Sequence, residues 1–117
     1  MTIGQIAITV RDLERAVNWY RDVLGLRFLF SAGHLAFFDC DGVRLMLSRS
    51  EPVESVHSSV IYFKTDDIDA SSRGLTEKGA ALEESPKMIA KMPDHELWMA
   101  FFRDSEGNLL AFMSEVR

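Results

Sequence analysis

The residues able to do metal, nucleophilic or proton-transfer chemistry are few and scattered along the chain. The three histidines, His34, His57 and His95, fall on different segments and show no H-x-x-x-H or H-x-E spacing. Such a spacing would bring two ligands to one side of a helix or strand. Cys40 lies in the turn "DCDG" with no histidine near it in sequence to act as its base, so a catalytic thiol is not predicted.

Composition narrows the classes of function. The chain has 117 residues, a formal net charge of -5 and a pI of about 5.1, which disfavours nucleic acid or an anionic membrane as partner. It contains no apolar run of about 18 residues, and the start "MTIGQIAITVRD" lacks the pattern of a secretory signal. We therefore expect a cytoplasmic protein. The single cysteine allows neither an internal disulfide nor a cysteine-based zinc site.

The elements that must position any site are predicted by periodicity. In the first half, Ile6, Ile8 and Val10 alternate as in a strand with one buried face. Asp12 then caps a helix, and Gly25 ends it. The helical spacing is carried by Leu13, Ala16, Val17, Tyr20 and Leu24. The segments "LRFLF", "HLAFFDC" and "VRLMLSR" predict three further strands.

The second half repeats this plan. Ile61 and Phe63 mirror Ile6 and Ile8 at an offset of 55 residues, whereas the hairpins "FFDCDG" and "FFRDSEG" lie 65 residues apart at their glycines. The extra residues fall in "SPKMIAKMPDHELW", which we expect to form a functional loop. The acidic turns are too short for calcium-binding loops. We predict an α+β fold of two tandem βαβββ modules, residues 1–50 and 57–117, joined by a short linker into one domain.

The duplicated unit, with "RDLERAVNWYRDVLGL" near the front and "DSEGNLL" near the end, resembles the vicinal oxygen chelate superfamily of glyoxalase I, bleomycin-resistance proteins and extradiol dioxygenases. The resemblance covers nearly the whole chain. It implies that each mixed sheet curls into half of a cup, that the ligand sits in the cup, and that the protein forms homodimers.

The resemblance also assigns four metal-ligand positions, where metal-using relatives carry His or Glu. In this chain those positions are Gln5, Met46, Val60 and Ala111. An octahedral site needs several oxygen or nitrogen donors, and of these four side chains only the glutamine offers one. The expectation is therefore no metal and no other cofactor.

Strand alternation predicts which side chains face the ligand. On the first and last strands of each module, the face that does not pack on the helix includes Arg44, Met46, Tyr62, Ala111 and Met113. In the inserted segment, counting back from Asp104 places Leu97, Met99 and Phe101 on this face, with Lys91 and His95 at the rim. A one-residue bulge would place Trp98 there instead.

These residues predict a polarizable pocket for an aromatic or anionic small molecule. Its predicted lining residues are Gln5, Arg44, Met46, Val60, Tyr62, Lys91, His95, Met99, Phe101, Ala111 and Met113. The first hypothesis is binding without chemistry. The alternatives are a metal-independent lyase or isomerase with His95 or Tyr62 as acid or base, or a metal-dependent lyase or dioxygenase with displaced ligands. Neither nucleic acid nor a membrane is expected as a partner.

Overall fold

The computed structural model describes residues 1–49 and 59–117. The chain divides into two compact units, Met1–Val56 and His57–Arg117. In the described residues, each unit has one α-helix and a four-stranded mixed sheet. The predicted α+β fold of tandem βαβββ modules is confirmed.

The first unit begins with a strand and a short helix, followed by a meander of three strands. Its elements are β1 (Gln5–Val10), α1 (Leu13–Asn18), a π-helical segment (Trp19–Val23), β2 (Arg27–Ala32), β3 (Leu35–Cys40) and β4 (Val43–Arg49). The strand order is β1-β4-β3-β2, with β1 parallel to β4 and the other neighbours antiparallel. The last strand of the meander therefore lies beside the first strand of the unit.

The first helical region, α1 and the π-helical segment together, begins after Asp12 and ends before Gly25, as its sequence predicts. The Asp12 carboxylate accepts a hydrogen bond from the backbone N–H of Arg15 at 3.0 Å, and Gly25 follows the helix with φ of +83°. The fully buried Tyr20 ring lies 5.9 Å from the ring of Phe38 on β3. This contact anchors the helix on one face of the sheet.

The second unit repeats the order of the first with longer strands. Its elements are β5 (Ile61–Lys64), α2 (Ile68–Glu77), β6 (Leu82–Lys91), β7 (Glu96–Arg103) and β8 (Leu109–Val116). The order β5-β8-β7-β6 mirrors the first sheet, again with one parallel pair, β5 and β8. Asp67 caps α2 by accepting from the backbone N–H of Ala70 at 3.0 Å.

The inserted segment forms strands, so the predicted loop is wrong. Most of its residues extend β6 and β7, and only a short turn separates the two strands, closed by a bond from Met92 N–H to His95 O at 2.8 Å. The pairing of β6 with β7 shifts register at three places. Such bulges interrupt the regular alternation of apolar and polar residues. The sequence of this segment therefore does not predict a strand.

The two acidic hairpin turns differ in construction. In the first, Asp41 and Gly42 both have positive φ, 54° and 97°, as a two-residue type I′ turn requires. In the second, the buried Asp104 carboxylate accepts from the backbone N–H groups of Glu106 and Asn108, each at 2.8 Å, and from the Asn108 amide at 2.9 Å. The second turn is therefore held by three hydrogen bonds to one buried carboxylate, whereas in the first the Asp39 carboxylate accepts one, from Gly42 N–H at 3.3 Å.

In each unit the core lies between the helix and one face of the sheet. It includes Tyr20, Phe38 and Leu47 in the first unit, and Leu75 and Phe102 in the second, all at most 2% exposed. Among the described residues, no helix has the length and apolar character needed to cross a bilayer.

Candidate functional site

Each sheet has one face packed on its own helix; we call the opposite face the distal face. On the first sheet the register pairs Ala7 with Met46, Met46 with Phe37, and Gln5 with Arg44. Paired residues point to the same side of a sheet, so these five side chains share the first distal face. This is the face predicted to meet a ligand.

Gln5 and Met46 touch on the first distal face. The Gln5 amide donates to the Met46 sulfur, with Nε2 and Sδ 3.7 Å apart. By resemblance these are two of the four metal-ligand positions, and the structure brings them together as the resemblance implies. Their chemistry is that of an amide and a soft thioether, a poor donor set for a hard divalent ion.

The second distal face is largely apolar. The register places Tyr62 opposite Ala111 and Ala111 opposite Phe101. The Tyr62 and Phe101 rings stand edge to face with centroids 5.9 Å apart, and Ala111 is fully buried. By the same resemblance, the second pair of metal-ligand positions is Val60 and Ala111. Neither side chain contains a donor atom.

Methionines occupy the next row of this face. Met113 pairs with Met99 on one side and with Lys64 on the other. Trp98 pairs with Ser114 and donates to the Glu96 carboxylate at 3.1 Å. Trp98 therefore lies on the opposite face. The alternative, in which a one-residue bulge in β7 brings Trp98 to the ligand face, is wrong.

Lys91 is not on the second distal face. It pairs with Glu96 after the last register shift of β6, which puts it on the side of Trp98. It also lines a groove of about 320 Å³ at the β6–β7 turn, together with His95. Lys91 thus lies near His95, as expected for two rim residues, but is turned away from the row of Met99.

His95 is held between carboxylates at the end of the second distal face. Its Nδ1 lies 2.7 Å from the Asp94 carboxylate, and its Nε2 lies 4.0 Å from the Glu115 carboxylate. Glu115 also pairs with Lys64 at 3.5 Å. The hydrogen bond from His95 lowers the pKa of Asp94 below its ordinary value. An ionised carboxylate only accepts, so His95 Nδ1 is the donor of this hydrogen bond and Nε2 is the nitrogen on the side of Glu115.

The charge beside Glu115 gives a pH-dependent prediction. Lys64, first among several cationic neighbours, lowers the pKa of Glu115. A lowered carboxyl pKa contributes stability above the unfolded-state pKa, and that stability is lost as pH falls through the folded-state pKa. Replacing Lys64 by methionine should raise the Glu115 pKa, measured by carboxyl-carbon NMR titration. An unchanged titration would contradict the Lys64–Glu115 pairing.

Of the other residues considered for chemistry, the structure describes His34 and Cys40, and it brings neither to a distal face. His34 is exposed in the β2–β3 turn, and His57 lies outside the described residues. Burial, with Asp39 adding to it, raises the pKa of the Cys40 thiol, which opposes thiolate formation. Within residues 1–49 and 59–117, no group of three or more His, Cys, Asp or Glu side chains could hold a metal ion.

An aromatic column on the first distal face was not predicted from the sequence. Phe30 on β2 stacks on Phe37 of β3, with centroids 4.6 Å apart and an interplanar angle of 29°. The Arg44 guanidinium carbon lies 5.3 Å from the centroid of the same Phe37 ring. The position of Phe37 on this face could have been predicted from the sequence, because the short "DCDG" turn fixes the β3–β4 register. Phe30 depends on a bulge between Phe28 and Phe30, which the sequence does not indicate.

Comparison with known proteins gives one family. The family model described as Glyoxalase/Bleomycin resistance protein/Dioxygenase superfamily matches residues 2–112. The Bacillus subtilis (strain 168) protein YraH, itself uncharacterized, is 30% identical over 128 residues, covering 94% of this chain and 95% of that protein.

Two solved structures show that proteins with this fold differ in function. TnmS3, an antibiotic binding protein from Streptomyces sp. CB03234, has a TM-score of 0.78 and 24% identity, covering 98% of this chain and 96% of that one. Lactoylglutathione lyase from Agrobacterium tumefaciens has a TM-score of 0.78 and 23% identity, covering 97% and 92%. At these identities the likeness establishes the fold, and function has to be argued from the residues on the distal faces.

Proposed function

Because the chain belongs to the Glyoxalase/Bleomycin resistance protein/Dioxygenase superfamily, we propose that it binds a small aromatic or anionic organic molecule without the metal ion of its metal-using relatives. The proposal rests on which residues occupy the four positions that hold metal ligands in metal-using relatives. Gln5, Met46 and Ala111 lie on distal faces rich in methionine and aromatic side chains, and Val60 directly precedes β5.

These four residues do not fit a divalent metal ion of the kind the family uses. Val60 and Ala111 have no donor atom, and the Met46 sulfur already accepts from the Gln5 amide. Only the Gln5 carbonyl oxygen could serve as a hard ligand, whereas magnesium, manganese, iron and nickel sites need several. No step of the proposed function depends on a metal.

The side chains around these positions favour an organic ligand. Tyr62 is 42% exposed although its ring contacts Phe101, and Met113 and Met99 extend the same surface. Aromatic rings and thioethers contact planar ligands favourably, and methionine adapts to their shape. That TnmS3 is an antibiotic binding protein of the same fold supports binding as a function for this chain.

A thermal-shift screen tests the proposal. Aromatic carboxylic acids and bleomycin should raise the unfolding temperature of metal-free protein, because a ligand that binds only the folded state stabilises it by mass action. At a ligand concentration about 100 times Kd, the gain is about 2.7 kcal/mol. A Phe101→Ala variant should show a smaller rise, with Phe28→Leu, on the helix side of the first sheet, as the control. No shift with any aromatic compound would contradict the proposal.

The Asp94–His95 pair favours a second candidate, a metal-independent lyase or isomerase. A carboxylate that fixes the Nδ1–H tautomer leaves Nε2 as a base for a bound substrate. The Tyr62 ring contacts Phe101, but within the described ranges its hydroxyl has no hydrogen bond to a basic group, so His95 is the better candidate. Turnover of a bound compound that His95→Asn abolishes without changing affinity would establish the enzyme. Unchanged turnover would exclude His95.

We also propose that the protein is a homodimer. Strand β6 is the edge of the second sheet, and it carries Met88 and Ile89 at 47% and 45% exposure. Exposed apolar groups on an edge strand are suited to pairing with a second copy. Light scattering on the eluting protein should give twice the chain mass, and a monomer would contradict this proposal.

A further inference from the structure

We propose that Arg44, held against Phe37, is the group that recognises the ligand's anion, and that the ligand carries this anion on a planar aromatic ring system. The inference rests on the proposed function and specifies its ligand class. It starts from the column of Phe30, Phe37 and Arg44 on the first distal face.

The column runs across three neighbouring strands. Strand β3 lies between β2 and β4, so Phe37 meets Phe30 on one side and Arg44 on the other. A guanidinium over an aromatic ring is held by cation–π attraction. The contact holds the charge near the ring, with the guanidinium carbon 5.3 Å from the centroid, and supplies no oxygen acceptor. The guanidinium N–H groups therefore remain available for a carboxylate or phosphate.

The backbone N–H of Arg44 donates to Gly4 O at 2.9 Å, but within the described part of the chain its guanidinium donors have no acceptor. Its strand neighbour Asp39 is directly opposite, yet no ion pair joins the two described side chains. The Asp39 carboxylate instead accepts from the backbone N–H of Gly42 at 3.3 Å. The same register also places Arg27 opposite Asp39, so this row of the sheet keeps a net positive charge.

The surroundings of Arg44 are suited to flat, polarizable rings. Phe30 is 46% exposed although it stacks on Phe37, and Met46 lies opposite Phe37. A planar ring system can lie against Phe30 and Met46 while its anionic substituent reaches Arg44. Because the arginine is already positioned by Phe37, less side-chain freedom is lost on binding.

The two lysines near the second distal face, Lys64 and the predicted rim residue Lys91, are less suited to this role. Lys64 pairs with Glu115 at 3.5 Å, and an incoming anion would have to compete with that carboxylate. Lys91 lies on the side of Trp98, away from the second distal face. The geometry therefore favours the arginine of the first sheet over either lysine.

Calorimetric titration with 1-naphthoate, 1-naphthyl phosphate and the uncharged 1-naphthalenemethanol tests the inference. We expect the better of the two anions to bind at least about 10-fold more tightly than the alcohol, as a charge-assisted bidentate contact implies. Which anion binds more tightly identifies the ligand as a carboxylate or a phosphate. Arg44→Gln should abolish the preference for an anion while leaving the affinity for the alcohol unchanged.

The matched control is Arg49→Gln. Arg49 lies on the same strand but at the opposite parity, and it lines a separate groove beside α1. This variant should keep the full preference for the anion. If Arg44→Gln also keeps it, or if the wild type binds the alcohol and the anions equally, the inference is overturned while the proposed function stands. If none of the three probes binds and no aromatic compound shifts the unfolding temperature, both fail.

Discussion

Phe102→Ala should lower the free energy of unfolding by about 3–5 kcal/mol, whereas Phe101→Ala should lower it by only about 1–2 kcal/mol. Phe102 is fully buried on the helix side of β7, with its ring 4.7 Å from that of Phe112. Removing it leaves a cavity in the core of the second unit. Phe101, one residue earlier, is half-buried on the second distal face, so its removal costs less packing.

For the affinity of aromatic ligands we expect the reverse order, with the larger effect at Phe101 and the smaller at Phe102. Phe101 contacts Tyr62 on the face proposed to meet the ligand, so Phe101→Ala should weaken aromatic probes more than any folded Phe102 variant does. Urea unfolding followed by circular dichroism measures the two stabilities, and Phe102→Leu supplies a folded variant for the binding comparison. Equal stability losses at the two positions would contradict the assignment of faces on β7.

The second large effect is expected at the acidic turn between β7 and β8. Asp104→Ala should destabilise the protein by about 2–4 kcal/mol, because hydrogen bonds to a charged acceptor are lost and buried donors lose their partner. The Asp104 carboxylate binds two backbone N–H groups and the Asn108 amide, and both residues are at most 7% exposed. Urea unfolding measures the loss.

The internal repeat supplies the matched control. Asp39 begins the equivalent turn of the first unit, and it accepts a single bond from Gly42 N–H at 3.3 Å. Asp39→Ala should therefore cost about 0.5 kcal/mol. If Asp39→Ala lowered the free energy of unfolding as much as Asp104→Ala, the two turns would be stabilised to the same extent. That result would contradict the difference in their hydrogen bonds.

The sequence predicted the repeat because both modules use the same local signals. Asp12 and Asp67 cap the helices, and Gly42 and Gly107 shape the hairpin turns. These are short-range features, set by backbone preference within a few residues. The alternation that places Met99 and Met113 on one face also follows directly from the register of a regular hairpin.

What the sequence did not predict depends on irregular pairing. Strand β6 pairs with β7 through three register shifts, so residues 85–98 were expected to form a loop, and Lys91 was expected at the rim of the ligand face. A bulge likewise brings Phe30 onto Phe37. The Asp94–His95 bond joins neighbours in the chain, but it needs a turn geometry that two adjacent residue types do not specify.

The helix of the first unit shows a similar limit. Periodicity predicted one continuous helix to Leu24, and the structure changes from α-helical to π-helical geometry at Trp19. The buried positions Ala16, Val17 and Tyr20 are nevertheless those expected. The change of hydrogen bonding falls within one turn of helix, where residue spacing alone does not distinguish the two forms.

The central claim is that this family member binds an aromatic anion without a metal ion. The most direct test combines metal analysis of protein purified without chelator with titration of 1-naphthoate before and after EDTA treatment. We predict well under one metal ion per chain and the same Kd in both titrations. One tightly bound Ni, Mn, Fe or Zn ion per chain, with binding lost on chelation and restored by that metal, would contradict the claim.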